Sequence, residues 1–348
     1  MRKTLIFLIL AYLAFFFFSF RKENPYFAIS KDDVKFKNPK GFPAPVYDLK
    51  SNTPTPAGFI LGRKLFYDPI LSRDSSTSCA SCHQRFAAFA HIDHPLSHGI
   101  NGLIGIRNVP ALQNLAWSST FMWDGGVNHL DLQPIAPITN KVEMDESLEH
   151  LITKLESDPG YQSMFKKAFG GNKITSKQLL QALSQFLVLM VSTDSKYDKF
   201  IRGETTLADN ELKGLQSFRQ RCSGCHPEPL FTNYTFKNIG LKADTAIADS
   251  GRKRITGMEN DYMKFKVPSL RNVEMTYPYM HDGRFRTLKD VMKHYSQGTL
   301  TAEADSLVKN NLGLSADEQE NIIAFLKTLT DKTFLYDRRF SEPLQELR

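Results

Sequence analysis

Two stretches of this chain carry residue types suited to chemistry: Ser78-Cys79-Ala80-Ser81-Cys82-His83 and, much later, Arg221-Cys222-Ser223-Gly224-Cys225-His226. Together they use all four cysteines of the 348 residues, and each closes on a histidine. Four cysteines in an exported protein would ordinarily suggest two disulfides. Cysteines three apart rarely bridge each other, however, and disulfides would give His83 and His226 no part. A structural zinc site takes two C-x-x-C pairs about 15–20 residues apart, whereas roughly 140 residues separate these. A thioredoxin-type redox pair needs one motif behind a strand. What C-x-x-C-H serves well is covalent attachment of haem c: two thiols form thioethers to the porphyrin, and the adjacent imidazole binds the iron. Two copies with no cysteine left over point to two covalent haems, with His83 and His226 as proximal ligands.

A second repeat supports a duplicated architecture. Residues 109–125, VPALQNLAWSSTFMWDG, align without a gap on residues 267–283, VPSLRNVEMTYPYMHDG, and seven of the seventeen positions are identical. Each copy follows one attachment motif. The copies differ where Trp123 stands in the first and His281 in the second, so the two haems are expected to do different jobs.

The elements that must position these groups are mostly helices. Residues 145–158, 175–192 and 315–331 have helical periodicity, and Ser315 with Glu318 makes a capping-box signature. Residues 207–226 read as a helix running into the second attachment site. Strand signals are few and short. The fold is therefore expected to be mainly α, two tandem cytochrome c-like haem domains over residues 57–203 and 204–335, with 336–348 a tail. Residues 1–22 have a basic start, Arg2 and Lys3, and then an uncharged apolar run from Leu5 to Phe20. That is the layout of an export signal, either cleaved or kept as a membrane anchor, and it implies a periplasmic protein. Residues 23–56, rich in Lys, Asn and Pro, read as an extended lead-in rather than core. The composition, 41% apolar and 23% charged, is that of a soluble globular protein. The net charge of +7 is spread over scattered Lys and Arg with no basic block interleaved with aromatics, which argues against nucleic acid and for an acidic protein partner.

Five segments in this order carry a resemblance: GRKLFYDPILSRDSSTSCASCH (62–83), RNVPALQNLAWSSTFMWDGG (107–126), PITNKVEM (137–144), RCSGCH (221–226) and FKVPSLRNVEMTYPYMHDGRFRTL (265–288). Over roughly residues 57–300 the chain resembles the bacterial di-haem cytochrome c peroxidases and their relatives, which include MauG. The resemblance implies an oxidoreductase in which the first haem reduces hydrogen peroxide and the second feeds electrons or shares oxidising equivalents. It implies that Glu143 moves a proton between the peroxide oxygens and that Gln133 hydrogen-bonds beside it. Read alone, Glu143 would be a charge ahead of the helix containing Ser147. It makes Trp123 the relay between the haems, where a lone tryptophan would be read as core packing. It also implies a calcium site made by the Asn108 side chain and the backbone carbonyls of Thr276 and Pro278.

Two departures bear on function. Many such peroxidases cap the resting first iron with a distal histidine; His98 is nearest in spacing, but the loop lengths differ, and the iron is open in the other reading, with His91, His94 and His98 as solvated loop residues. The second haem is usually capped by Met, which raises its potential. The matching position is Tyr295, and Leu288, Val291, Met292 and Tyr295 share one helical face, so Met292 is the competing ligand and His294 points elsewhere. An anionic phenolate favours oxidised iron and predicts a low potential. Three functions follow: a peroxidase fed by a small exported cytochrome c or copper protein, a MauG-like enzyme that oxidises residues of a partner protein, and a di-haem electron carrier. Relatives are often dimers, so the resemblance also carries a homodimer.

Overall fold

The computed structural model describes residues 29–297, 300–309 and 311–343; the expected export segment lies outside them. No helix among the described residues is long and apolar enough to cross a membrane. In chain order the helices are α1 (Pro56–Tyr67), α2 (Cys79–Cys82), α3 (Ile135–Thr139), α4 (Leu148–Ser157), α5 (Pro159–Phe169) and α6 (Ser176–Leu187). They continue with α7 (Lys196–Ile201), α8 (Asp209–Arg221), α9 (Lys253–Thr256), α10 (Leu288–Gln297), α11 (Ala316–Lys327) and α12 (Lys332–Leu335). Two short strands, β1 (Phe236–Lys237) and β2 (Phe265–Lys266), pair antiparallel with Phe236 opposite Lys266. The mainly helical expectation holds.

Helices start where the sequence supplies caps. The Thr55 side chain accepts from the Gly58 amide ahead of Pro56, and Ser315 and Glu318 form the expected capping box at α11. The chain then builds two apolar cores. The first gathers residues of α1, α4, α5 and α6; the second gathers residues of α7, α8, α10 and α11. Each is organised by one tight helix crossing. A Cβ on Gly62 of α1 would lie 2.0 Å from the Ala182 carbonyl oxygen of α6, and a Cβ on Gly214 of α8 would lie 1.9 Å from that of Asn321 in α11. In both halves the glycine helix leads into an attachment motif. The duplication seen in the sequence is thus also a duplication of packing.

Packing departs from the sequence reading in three places. The lead-in is extended, but it is not outside the core: Val34 and Tyr47 are buried in the first core, and the Trp117 indole donates to the Pro43 carbonyl. The apolar run 175–192 stops being helical at Leu187, because its end is used in tertiary pairing. There the Asn114 amide donates to Met190 O, and the Asn114 side chain bonds both backbone groups of Ser192. The division at 203/204 is crossed both ways: Tyr197 packs in the second core, while Phe334, Leu335 and Phe340 return to the first. The Tyr67 hydroxyl holds that return by donating to Phe340 O at 2.6 Å.

Alanine at Gly62 or Gly214 must push two helices apart, and each change is expected to lower unfolding free energy by about 1–3 kcal/mol. Gly224→Ala, whose Cβ would meet only Leu307 Cδ1 at 3.5 Å, is the control and should change little. Denaturant midpoints of the three variants check this.

Candidate functional site

Both motif histidines are set up as iron ligands by the backbone that follows them. His83 Nδ1 lies 2.6 Å from Phe89 O, and His226 Nδ1 lies 3.0 Å from Phe231 O. A carbonyl only accepts, so Nδ1 carries the proton and the Nε2 lone pair is left for a metal. Phe89 and Phe231 both adopt positive φ, part of the tight turn that brings each carbonyl back onto the ring. Burial pushes both imidazoles down to about 4, so they are neutral at physiological pH, the form that binds iron. All four cysteines are unbridged. Burial raises every thiol, those of Cys79 and Cys222 to about 12. Among the described residues no group of three or more His, Cys, Asp or Glu is set to hold a metal ion. Disulfide and zinc readings therefore find no geometry here, and the residues present fit covalent haem.

A cavity of about 610 Å³ opens at the second motif, within the usual range for small-molecule and cofactor sites. Cys222, Cys225 and His226 line it together with Met292 and Tyr295 of α10. Tyr295 feels both thiols: burial raises its hydroxyl well above the ordinary tyrosine range, and Cys222 and Cys225 add to this. Met292 is 6% exposed and belongs to the second core. His294 is turned away, its Nε2 bonded to Ile239 O at 2.9 Å. Both competing residues on this face thus line the cavity at the second motif.

The same cavity reaches Trp123, Gln133, Asn108, Thr276 and Pro278. Gln133 Nε2 sits 4.0 Å from Met122 Sδ. The Trp123 indole N–H donates to Asn108 O at 2.8 Å. The Asn108 amide nitrogen donates to Pro95 O, which leaves its oxygen as a side-chain acceptor. The carbonyls of Thr276 and Pro278 accept no hydrogen bond among the described residues.

Glu143, His98, Cys79, Cys82 and His83 gather at the first motif instead. Cys82 Sγ lies 3.3 Å from His98 O, and the Glu143 carboxylate is close enough to raise the Cys82 thiol. Burial lifts the Glu143 carboxyl above its ordinary value, against a 3.0 Å hydrogen bond from Asn140. Glu143 does not serve the following helix. That start is capped by Ser147, and Glu146 accepts from the Ser147 amide. No hydrogen bond joins Gln133 to Glu143 among the described residues. The His98 ring lies tilted against that of His94, with centroids 4.2 Å apart, and its Nδ1 bonds Leu96 O. His91 is buried rather than solvated.

The two repeats meet between these sites. The Asn108 N–H donates to His281 O, and the Lys266 N–H donates to Trp123 O, both at 2.7 Å. The His281 ring stacks on Phe265 at 3.7 Å. Arg107 spans the seam, paired with Asp124 and Asp249 at 2.6 Å each. One positioning group was invisible to motif reasoning. Arg271, fully buried, forms a two-pronged pair with Asp198 and donates from Nε to Pro229 O, two residues before the carbonyl that holds His226. Burial works against the Asp198 charge, and the Arg271 and Ser195 bonds outweigh it and hold its carboxyl low. Its one signal in the sequence is that it replaces Gln113 of the first repeat.

The family model described as di-haem cytochrome c peroxidase matches residues 56–206. The methylamine utilization protein MauG of Methylorubrum extorquens is 34% identical over 308 residues, 85% of this chain and 83% of that protein. Cytochrome c551 peroxidase of Nitrosomonas europaea is 34% identical over 292 residues, 82% of this chain and 84% of that protein. A solved MauG-like protein associated with microbial copper homeostasis superposes with a TM-score of 0.81 at 30% identity, covering 89% of this chain and 99% of its own.

Replacing Arg271 by Ala leaves Asp198 buried without its partner. The expected loss is about 3–5 kcal/mol of stability, read by thermal or denaturant unfolding of the full chain. Arg271→Lys should recover only part, since it cannot make the two-pronged pair.

Proposed function

This chain belongs to the di-haem cytochrome c peroxidase family, and on that premise we propose that it is an exported, periplasmic enzyme that reduces hydrogen peroxide to water. The electrons come from a small cytochrome c or copper protein. Membership implies two haem c groups, carried on Cys79, Cys82 and His83 and on Cys222, Cys225 and His226. The observation that carries the proposal is the shared cavity: Gln133 and Trp123 line the same space as the second attachment motif, while Glu143 stands beside Cys82 of the first. When bound at the first motif, haem iron supplies the coordination position at which peroxide reacts. The chain supplies the rest. The Glu143 carboxylate accepts the proton of the inner peroxide oxygen and returns it to the leaving oxygen. The Gln133 amide orients the peroxide. Trp123, its N–H fixed on Asn108 O, places an indole between the two sites as the charge relay. A calcium ion on Asn108, Thr276 and Pro278 would hold that same Asn108 backbone in place.

A second reading is favoured by the placement of Tyr295. A tyrosine ligand would give the second haem a low potential, which suits holding oxidising power for a partner protein better than accepting electrons from a high-potential donor. Tyr295→Phe is then expected to change the visible and EPR spectra of the second haem, while Met292→Leu leaves them as they are; the opposite result would assign Met292. Turnover with peroxide and a reduced cytochrome or cupredoxin supports the first reading. Absence of turnover with a reduced donor, together with oxidation of a partner protein, supports the second.

Glu143→Gln should lower the rate of reaction with peroxide by about 10²–10⁴-fold. The pH profile has a definite sign. The proton-accepting form of Glu143 is the carboxylate, and its pKa is raised by burial, so the native rate falls with acidification through a value above the ordinary carboxylate range. Stopped-flow traces of Glu143→Gln should lack that acidic limb.

A further inference from the structure

We propose that Lys266 is a counter-ion built for a haem propionate: its ammonium binds that carboxylate inside the shared cavity and raises the reduction potential of the haem that carries it. Lys266 lines the cavity. Its Nζ donates to the Thr120 backbone carbonyl at 2.6 Å and lies 5.7 Å from the Phe121 ring. No carboxylate pairs with it among the described residues. The acid whose field reaches it, Asp124, is already held by Arg107 and Arg254 at 2.6 and 3.2 Å. Another lysine on the cavity wall, Lys237, is by contrast satisfied by Asp305 at 2.8 Å.

Lys266 is half-buried and lines a cavity; an ammonium partly withdrawn from water with no anion is costly, and proteins resolve it by pairing or by losing the proton. Burial indeed pushes Lys266 down to about 8 in the chain alone. One of its three N–H donors is used by Thr120, which leaves two for a ligand of the cavity that Lys266 lines. Each haem c keeps two propionates. The duplication supports the assignment from another side. Lys266 occupies in the second repeat the position that Asn108 occupies in the first, and both line the cavity. Its backbone N–H is tied to Trp123 O, and its Nζ is held by the Thr120 carbonyl.

The inference rests on the two-haem reading, and its test keeps the two apart. The full chain carrying both haems is compared with Lys266→Met and Lys266→Arg by spectroelectrochemical titration from pH 5 to 9, after haem content is confirmed equal. In Lys266→Met one of the two midpoint potentials should fall, because an unneutralised propionate favours ferric iron. That potential should also vary more steeply between pH 5 and 8, since the propionate now takes up a proton when the iron is reduced. Lys266→Arg should restore both features. If methionine is not tolerated, Lys266→Gln reads the same shift. Potentials that coincide with the native pair at every pH would overturn the role of Lys266. A native chain without covalent haem would instead remove the reading beneath it.

Discussion

Two reciprocal backbone hydrogen bonds hold the functional part of this protein together: Asn108 N–H to His281 O and Lys266 N–H to Trp123 O. Each repeat gives one bond and receives one, so the two halves are fixed in mutual register at the place proposed for charge transfer. The relay indole donates to the carbonyl of Asn108, whose amide makes one of those bonds. Moving either repeat by one residue would therefore displace the indole, Asn108 and Lys266 together.

Around that seam the duplication has diverged in chemistry while keeping its scaffold. The glycine crossings at Gly62 and Gly214, the paired asparagines Asn114 and Asn272 in left-handed conformation, and the histidine-to-carbonyl bonds after each motif are the same device used twice. The side chains that touch the cavity are not. Trp123 is answered by His281 and Asn108 by Lys266, and one residue earlier Arg107, off the cavity wall, is answered by Phe265. Where Arg107 lies 5.6 Å from the Phe265 ring, equivalent positions of the two repeats face each other directly. In the proposed function one half is the place for proton chemistry, with Glu143 and Gln133, and the other a site capped from α10 for electron storage or transfer.

Much of this was legible in the chain because it is written locally. The attachment motifs need a fixed spacing, the helices show their period and caps, and the face shared by Met292 and Tyr295 follows from helical geometry. What was not legible depends on distant partners. Nothing around Lys266 in sequence says that it lines a cavity without an acid, and nothing around Asp198 says that Arg271 will meet it. The lead-in looked solvated because prolines and lysines surround Val34 and Tyr47, yet those two side chains fill the first core. His91 was read with its neighbours as a loop residue, and only the fold shows it buried.

The account depends on two haems acting as one reactor across this seam. Its most direct test is to reduce the purified protein fully, remove the reductant and add one equivalent of hydrogen peroxide while following both haems by absorbance. One equivalent takes two electrons, and the account predicts that each haem gives up one, the two oxidising together at a single rate. Oxidation confined to the first haem, with the second left reduced while peroxide disappears, would contradict it.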